Sequence, residues 1–378
     1  MYTKKVRFKT VFNNKYKNSS KISLYLGANL FKLNRKDFDG SLKSVTVKTF
    51  DGRLVEINGK AYVLACGGVE NARTLLNSKT DTLSSIGNLH DNVGRYFMDH
   101  PIAPCATVIN EDGKLKDFSY SISTKNKSIN KKNSVIPYYR LPFSIQSEYS
   151  TLNTAFQFRS SEKELTAADV SAWKIKNILI DGSDRNISFN DISNIVKNPL
   201  RVINSYKDKK LDRGRVAMRF QIEQAPNKNN RIELIQETDA VGVNRVKLTW
   251  GFSEIERHSI DVATAYAASI LHKHEVGSLR LDTQLYEDKK NLPLDLRGGQ
   301  HHSGTTRMSN TKKNGVVDKN LLVHDSKNLF VLGSSVFPTN GWVNPTFTII
   351  SLAMRLAKHL DLFCNEKKSI KFSKVQEL

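Results

Sequence analysis

The stretch that decides the fold runs from Gly298 to Leu360. It reads GGQHHSGTTRMS (298–309), GVVDKNLLVHDSKNLFVLGSSVFPT (315–339) and NGWVNPTFTIISLAMRLAKHL (340–360). The apolar run at Asn328–Leu332 is bounded by an asparagine on one side and by glycine and serine on the other. Such a run predicts a short buried strand.

A helix is predicted directly after this strand. Asn344 and Pro345 have the character of a helix start, with a capping side chain followed by proline at the first helical position. Apolar residues then recur at helical spacing and predict a face anchored in a core: Phe347, Ile350, Met354 and Ala357. The amino end of this helix would lie just past the strand, where free backbone N–H groups attract an anion.

These segments resemble the carboxy-terminal region of the glucose–methanol–choline (GMC) flavin oxidoreductases. Three motifs carry the resemblance, in the same order: His301-x-x-Gly304-Thr305-x-x-Met308, Asn328-Leu329-Phe330-Val331 with Ser335-x-Phe337-Pro338, and Asn344-Pro345-Thr346. The resemblance implies an α+β or α/β fold, with a partial Rossmann-like FAD-binding domain and an antiparallel-sheet substrate domain with helices. It also implies an FAD-dependent dehydrogenase or oxidase that acts on the CH–OH group of a small alcohol, polyol or sugar.

The amino-terminal part carries further signals. Short strands are predicted at 22–33, 44–50, 53–57 and 61–66. A glycine pair, Gly67–Gly68, then opens a helix, which indicates either a close approach of backbone to a ligand or a tight turn without one. The run YVLACGGVENARTLL (62–76) resembles a GMC motif, which implies that Ala65 and Gly67 contact FAD and that Leu30 lies at its adenine.

The segment at 87–101 resembles the GMC segment that runs over the flavin, with Gly94 as a close turn. His100 in this segment is interpreted as structural, because the resemblance implies that the catalytic base lies elsewhere.

The middle of the chain is predicted to be an antiparallel sheet. Alternating or apolar runs predict strands at 105–109, 134–139, 152–159, 216–224, 231–237 and 245–250. A helical region is predicted at 160–214, and a long helix begins at the capping box Ser253-x-x-Glu256. We therefore predict two domains, with 1–100 and 299–378 forming an incomplete FAD-binding domain and 101–298 forming the substrate-binding domain.

The resemblance assigns the chemistry to His301 and Asn344. A histidine titrates near neutrality and so suits removal of a hydroxyl proton. Its neighbour His302 points the other way on extended backbone. Asn344 would hold the substrate oxygen, and Glu223 either contacts the substrate or is a structural carboxylate. The resemblance also implies that the cofactor contacts a set of residues after the strand and at the helix start: Gly333, Ser334, Asn344, Pro345 and Thr346.

One expected feature is missing from the sequence. No G-x-G-x-x-G string, which holds a dinucleotide diphosphate on a helix amino end, occurs in the 378 residues. The resemblance covers the carboxy-terminal two-thirds of the family. We therefore expect a fragment or one half of a split enzyme, with a companion chain carrying the nucleotide-binding half. The alternative is a non-catalytic fragment or partner subunit that does not bind flavin alone.

Composition narrows the function classes further. The net charge of +21 comes from dispersed lysines without a nucleic-acid motif, so no nucleic-acid partner is predicted. No apolar run predicts a membrane span, and no secretory signal is recognised, so a cytoplasmic location is expected. The three cysteines are interpreted as buried free thiols. No metal site is predicted, since the two histidines at 272 and 274 do not share a helix face.

Overall fold

The computed structural model describes residues 19–36, 40–79, 84–109, 138–160, 215–281 and 297–369, with single residues between 192 and 199. The predicted helical region at 160–214 lies almost entirely outside the described residues, as does the first part of the strand predicted at 134–139.

The amino-terminal part forms an antiparallel meander of three strands in the order β1-β2-β3. The strands are β1 (Asn29–Arg35), β2 (Leu42–Lys48) and β3 (Leu54–Ile57). The predicted first strand is too long, because residues such as Tyr25 and Leu26 are exposed and the strand begins only at Asn29. The predicted turn at Gly52 joins β2 to β3, with a φ of +88° that favours glycine.

The two ends of the described chain meet in a short parallel sheet. Strand β4 (Tyr62–Leu64) precedes helix α1 (Glu70–Leu76) and pairs with β13 (Leu329–Val331), the predicted buried strand. All three residues of β13 are buried. A hydrophobic core of residues from the meander, α1 and the 316–337 region surrounds this pair.

The middle of the chain forms the predicted antiparallel sheet, in the order β11-β5-β8-β7-β6 with β12 also pairing to β5. Its strands are β5 (Pro101–Ile109), β6 (Tyr139–Arg140), β7 (Thr154–Ser160), β8 (Arg215–Ile222), β11 (Ser278–Leu281) and β12 (Arg297–Gly298). The short helix α2 (Phe143–Glu148) precedes β7, and the long helix α3 (Glu254–Lys273) covers one face.

Helix α3 begins where the capping box predicted it, with the backbone N–H of Ser253 donating to Glu256 at 2.8 Å. Its buried face packs on the apolar face of the sheet to form a second core. Because side chains alternate along a strand, the opposite face of β7 and β8 is free to carry polar residues.

A hairpin from the predicted substrate domain packs on the first core instead of the second. Strands β9 (Arg231–Thr238) and β10 (Asn244–Thr249) form this hairpin, and Ile232 lies fully buried in the first core. Arg73 of α1 ties the hairpin down through Asp239 at 2.6 Å and through the carbonyl oxygen of Asn244 at 2.6 Å. The predicted substrate domain, 101–298, therefore includes a hairpin that packs in the core of the predicted FAD-binding domain.

The last helix, α4 (Thr346–Ser369), shows where the sequence interpretation was wrong. The predicted core face is exposed, with Phe347 81% and Met354 64% accessible. The residues that pack against the first core lie on the opposite side of the helix: Ile349, Leu352, Leu356, Leu360 and Phe363. Both stripes have helical spacing, so periodicity alone does not distinguish them.

Among the described residues, no helix combines the length and the apolar composition that crossing a bilayer requires.

Candidate active site

The site begins where two distant segments lie side by side. Met98 and Ser303 exchange backbone hydrogen bonds of 3.0 and 2.8 Å, and the N–H of Gly94 donates to the carbonyl of Thr305 at 2.8 Å. Gly304 has a φ of +84°, and a Cβ there would lie 2.2 Å from the carbonyl oxygen of Tyr96. Only glycine fits at this crossing. Because Gly304 lies three residues after His301, the crossing also fixes the position of the turn that carries this histidine.

The buried carboxylate of Asp99 pins the turn that carries His301. It accepts hydrogen bonds from the backbone N–H groups of His301 at 2.8 Å and Gln300 at 3.2 Å. A Cβ at Gly298 would lie 2.3 Å from the same carboxylate, so the close approach requires glycine. These contacts fix the backbone that leads into the predicted base.

His100 lies against His301, with the two Nδ1 atoms 2.8 Å apart. Only one proton fits between them, so one ring donates and the other accepts. The Nε2 of His100 lies 3.4 Å from the carbonyl oxygen of Asn340, which can only accept. The network therefore assigns the proton of His100 to Nε2 and that of His301 to Nδ1. This tautomer leaves the Nε2 of His301 with a lone pair, as a general base requires.

The pKa values of both histidines favour neutral rings. Burial, and after it the neighbouring His301, lowers the pKa of His100 to about 4. Burial also lowers the pKa of His301, although Asp99 opposes this shift. Desolvation disfavours the charged imidazolium, so the pair stays neutral at physiological pH. The sequence predicts a structural role for His100, and it does not indicate this contact with the predicted base.

His302 occupies a different environment. Its ring packs against Phe97 at a centroid distance of 5.4 Å, and its Nε2 lies 3.8 Å from the carboxylate of Asp99. Its carbonyl accepts a hydrogen bond of 2.5 Å from the hydroxyl of Ser334. The structure thus places His301, and not His302, on the cavity described next.

A cavity of about 250 Å³ opens between the polar face of the sheet and the His301 turn. Its lining consists of Ile102, Tyr138, Gln157, Arg219, Phe220, Gln221, Gly299, His301 and Asn344. Arg219 and Gln221 alternate on β8 with the buried apolar residues that face α3, and Gln157 of β7 pairs directly with Arg219. The cavity wall formed by the sheet is therefore polar.

Gln221 is a site residue that sequence reasoning missed. Its Nε2 donates to the Oδ1 of Asn344 at 3.1 Å and to the carbonyl of Trp342 at 2.6 Å. The predicted candidate, Glu223, lies two residues further on and accepts from the backbone and side-chain amides of Asn153 at 3.2 and 2.6 Å. Glu223 is not among the residues that line the cavity. The strand alternation that suggested Glu223 points equally to Gln221, which is the better buried of the two.

Asn344 lies on the cavity as predicted from the resemblance, but its local role differs. Helix α4 begins at Thr346, so Pro345 and not Asn344 directly precedes it. The hydrogen bond that the structure gives the Asn344 side chain is the one from Gln221. Its oxygen is thus engaged by the sheet instead of capping the helix.

The predicted cofactor residues gather at the carboxyl ends of β4 and β13. Ala65 and Gly67 follow β4, while Gly333 and Ser334 follow the adjacent parallel strand β13. Gly67 has a φ of +97° with no atom within 4 Å of an added Cβ, and Gly333 has a φ of +129°. Two backbone turns are therefore open at the strand ends where parallel sheets bind ligands.

Asn71 clamps these two turns together and was not identified from sequence. Its Oδ1 accepts from the N–H of Cys66 at 2.9 Å. Its Nδ2 donates to the carbonyl of Leu332 at 3.1 Å and to the hydroxyl of Ser335 at 2.9 Å. Cys66 itself is exposed in the turn, which corrects the prediction of a buried thiol.

Two further predicted cofactor residues, Leu30 and Gly94, lie away from these strand ends. Leu30 lines a second cleft of about 170 Å³ that also includes Cys66 and Arg73. Gly94 lies where two segments pack closely, since a Cβ there would lie 2.4 Å from the carbonyl oxygen of Ile232. Among the described residues, no group of His, Cys, Asp and Glu side chains is arranged to hold a metal ion.

A family model described as GMC oxidoreductase matches residues 226–353, which include His301 and Asn344. This part of the chain therefore matches the carboxy-terminal domain of the GMC oxidoreductases. Over 315 residues the chain is 25% identical to the fructose dehydrogenase large subunit of Gluconobacter japonicus, covering 82% of this chain and 48% of that protein. Over 62 residues it is 42% identical to 2-methyl-1,2-propanediol dehydrogenase of Mycolicibacterium austroafricanum, covering 16% and 11% of the two chains.

Solved structures share the fold. Pyridoxine 4-oxidase from Mesorbium loti superposes with a TM-score of 0.56 at 13% identity, covering 90% of this chain and 58% of that one. Formate oxidase superposes with a TM-score of 0.52 at 17% identity, covering 92% and 63%. The chain thus spans about half the length of the fructose dehydrogenase subunit and about three-fifths of these structures.

GMC oxidoreductases are FAD-dependent, and the residues of this chain fit that cofactor. The fit rests on the two glycine turns at Gly67 and Gly333, where an added Cβ would meet no atom within 4 Å at Gly67 and the Nδ2 of Asn71 at 3.7 Å at Gly333. It also rests on the proximity of the His301 turn, since the hydroxyl of Thr305 donates to the carbonyl of Gly68 at 2.5 Å. The cofactor-binding turns and the candidate base therefore form one connected unit.

Proposed function

We propose that this chain provides the substrate-binding part and a portion of the FAD-binding part of a GMC oxidoreductase. The enzyme would oxidise the CH–OH group of a sugar or polyol. The observation that carries the proposal is that His301 and Asn344 line one cavity, with the network leaving a lone pair on the Nε2 of His301. FAD, when bound at the open turns, supplies the acceptor for the hydride that leaves the carbinol carbon.

The residues of this chain then have separate tasks. The substrate hydroxyl donates its proton to the Nε2 of His301, which becomes an imidazolium held beside the carboxylate of Asp99. The oxygen of the substrate accepts a hydrogen bond from the Nδ2 of Asn344, whose Oδ1 is already engaged by Gln221. This contact stabilises negative charge on the oxygen as the proton leaves, and it orients the C–H bond.

The polar wall of the cavity supports a hydroxyl-rich substrate. Gln157, Arg219, Gln221 and Tyr138 all line it, with amide, guanidinium and phenol groups. Polar groups of this kind can hydrogen-bond several substrate hydroxyls in place of water. The names of the two dehydrogenase relatives, which refer to fructose and to a diol, agree with this class of substrate.

We propose further that a nucleotide-binding part, in the same polypeptide or in a companion chain, covers the exposed face of α4. Phe347, Ile350 and Met354 form an apolar stripe there, 81%, 44% and 64% exposed. An exposed apolar stripe of this kind marks a contact surface. The part proposed to cover it would supply the diphosphate-binding turn that is absent from residues 1–378.

The test is to express the chain together with a GMC nucleotide-binding segment and to measure the visible absorption of bound flavin. Anaerobic addition of D-fructose, D-sorbitol or 1,2-propanediol should then bleach that absorption. His301→Ala and Asn344→Ala should retain flavin while bleaching slows. If flavin binds stoichiometrically and none of a broad panel of sugars and polyols bleaches it, the proposed activity is wrong.

A further inference from the structure

Gln221 lies at the centre of the polar network beneath the cavity. It is 7% exposed, on the polar face of β8. Its Nε2 contacts the carbonyl of Trp342 at 2.6 Å and the Oδ1 of Asn344 at 3.1 Å, and it lies 3.5 Å from the Nδ1 of His100. Its Oε1 accepts from the hydroxyl of Tyr138 at 3.1 Å. Both ends of this amide are therefore engaged.

The partners of Gln221 fix its orientation. The carbonyl oxygen of Trp342 can only accept, so the atom 2.6 Å from it must be the NH₂ group of Gln221. The hydroxyl of Tyr138 can donate, which suits the oxygen at the other end. A flipped Gln221 would place its oxygen against the carbonyl oxygen of Trp342 and lose that hydrogen bond.

We propose that Gln221 is a positioning residue that sets which end of the Asn344 amide faces the substrate. This inference rests on the function proposed above. Because Gln221 donates from its NH₂ group, the side-chain oxygen of Asn344 must accept this hydrogen bond. The NH₂ group of Asn344 is then directed to the cavity. The cavity then offers a donor on Asn344 and an acceptor on the Nε2 of His301. These two groups complement an alcohol: its oxygen accepts a hydrogen bond from Asn344, and its hydroxyl proton passes to His301.

The opposite orientation of Asn344 would be unproductive. An amide oxygen directed at the substrate would repel the negative charge that develops when His301 takes the proton. An asparagine side chain by itself does not determine whether its oxygen or its NH₂ group faces the substrate, so the surrounding hydrogen bonds must determine it. Gln221 does so from a sheet strand, a rigid element with its neighbours on both sides.

The test is a double-mutant cycle in the flavin-loaded enzyme, followed by stopped-flow bleaching with D-fructose. Gln221→Met has nearly the same length but lacks the donor, and we expect it to lower the limiting bleaching rate by about 10- to 100-fold. The dissociation constant for D-fructose should change much less, because substrate contacts in the ground state remain. In the Asn344→Ala background, the same substitution should lower the limiting rate by less than about threefold.

Two further variants sharpen the cycle. Gln221→Glu keeps the size of the side chain but accepts where glutamine donates, so it should draw the NH₂ group of Asn344 away from the substrate. We expect its limiting rate to be at least as low as that of Gln221→Met. Gln157→Met is the matched control, since it lines the same cavity from β7, and its effect should be the same with Asn344 or Ala at position 344.

The outcomes separate the inference from the proposed function. If no sugar or polyol bleaches the flavin of the unaltered enzyme, the proposed function fails. If bleaching occurs and Asn344→Ala leaves it unchanged, Asn344 has no catalytic part and the inference about Gln221 is overturned while the proposed function stands. If Asn344→Ala slows bleaching and Gln221→Met adds its full effect in that background, Gln221 acts independently and the inference is overturned. The same conclusion follows if Gln221→Met mainly weakens D-fructose binding and leaves the limiting rate unchanged.

Discussion

The Nδ1 atoms of His100 and His301 lie 2.8 Å apart, although 201 positions separate the two residues in sequence. The contact exists because the backbones of the 94–100 and 298–305 segments are hydrogen-bonded side by side. Only one proton can lie between the two Nδ1 atoms. Each ring is therefore held in one neutral tautomer, and protonation of either ring is disfavoured. The interaction thus couples the candidate base to a more deeply buried histidine.

The first prediction concerns stability in acid. Folding lowers the pKa of His100 from 6.5 to about 4 through burial, so the unfolded chain binds its proton first as the pH falls. The contribution of His100 is complete above pH 6.5 and is lost between pH 6.5 and 4, to a total of about 3 kcal/mol. His100→Gln should therefore flatten the decline of the free energy of unfolding across this window, measured by urea titration.

The control is His90→Gln, which changes an exposed histidine in the same part of the chain. Its unfolding free energy should decline with falling pH as steeply as that of the wild type. A His100→Gln variant with the wild-type slope would show that the ring is not held neutral by the fold.

A second prediction concerns the crossing of the two segments at Gly304. Gly304→Ala combines a φ of +84° with a Cβ 2.2 Å from the carbonyl oxygen of Tyr96. Gly52→Ala has a similar φ of +88° in the β2–β3 turn but no atom within 4 Å. Gly52→Ala should cost about 1 kcal/mol, and Gly304→Ala about 3 kcal/mol or more, in unfolding experiments. Equal losses would mean that the crossing relaxes without cost.

Asn71 should be worth more to stability than an ordinary helix residue. Asn71→Ala removes three hydrogen bonds and leaves buried partners in both cofactor-binding turns, which we expect to cost about 3 kcal/mol. Asn77→Ala, at the other end of the same helix, removes one bond to the carbonyl of Arg73 and should cost about 1 kcal/mol or less. Flavin retention should also fall for Asn71→Ala only. Unchanged retention would show that the turns keep their shape without the clamp.

The exposed stripe of α4 gives a prediction about assembly. Phe347→Asp places a charge on the surface proposed to contact the nucleotide-binding part, so co-purification of the two parts and flavin content should both drop. Leu362→Asp is the control, because Leu362 is 63% exposed on the same helix but lies outside the stripe. If both variants assemble equally well, another surface makes the contact.

The sequence predicts most of the framework because its signals are local. The strand at Leu329–Val331, the capping box at Ser253 and the hairpin turn at Gly52 each depend on neighbouring residues, and each is confirmed. The His301 and Asn344 motifs came from resemblance, and the structure brings both residues to one cavity.

What the sequence missed depends on contacts between distant segments. The pairing of His100 with His301 and the clamp at Asn71 join positions more than 200 residues apart, so no spacing rule shows them. The face of α4 was assigned wrongly because two apolar stripes have the same period. Only packing against β13 decides which stripe is buried, as Phe330 with Phe363 shows.

The most direct test of the account compares the two adjacent histidines. In the flavin-loaded enzyme, stopped-flow bleaching by excess D-fructose is measured for His301→Ala and His302→Ala. We expect His301→Ala to slow bleaching by about 10²- to 10⁴-fold, the usual effect of removing a positioned general base. His302→Ala should slow it only a few-fold, because its ring packs on Phe97 away from the cavity. Slower bleaching in His302→Ala than in His301→Ala would contradict the assignment of His301 as the base.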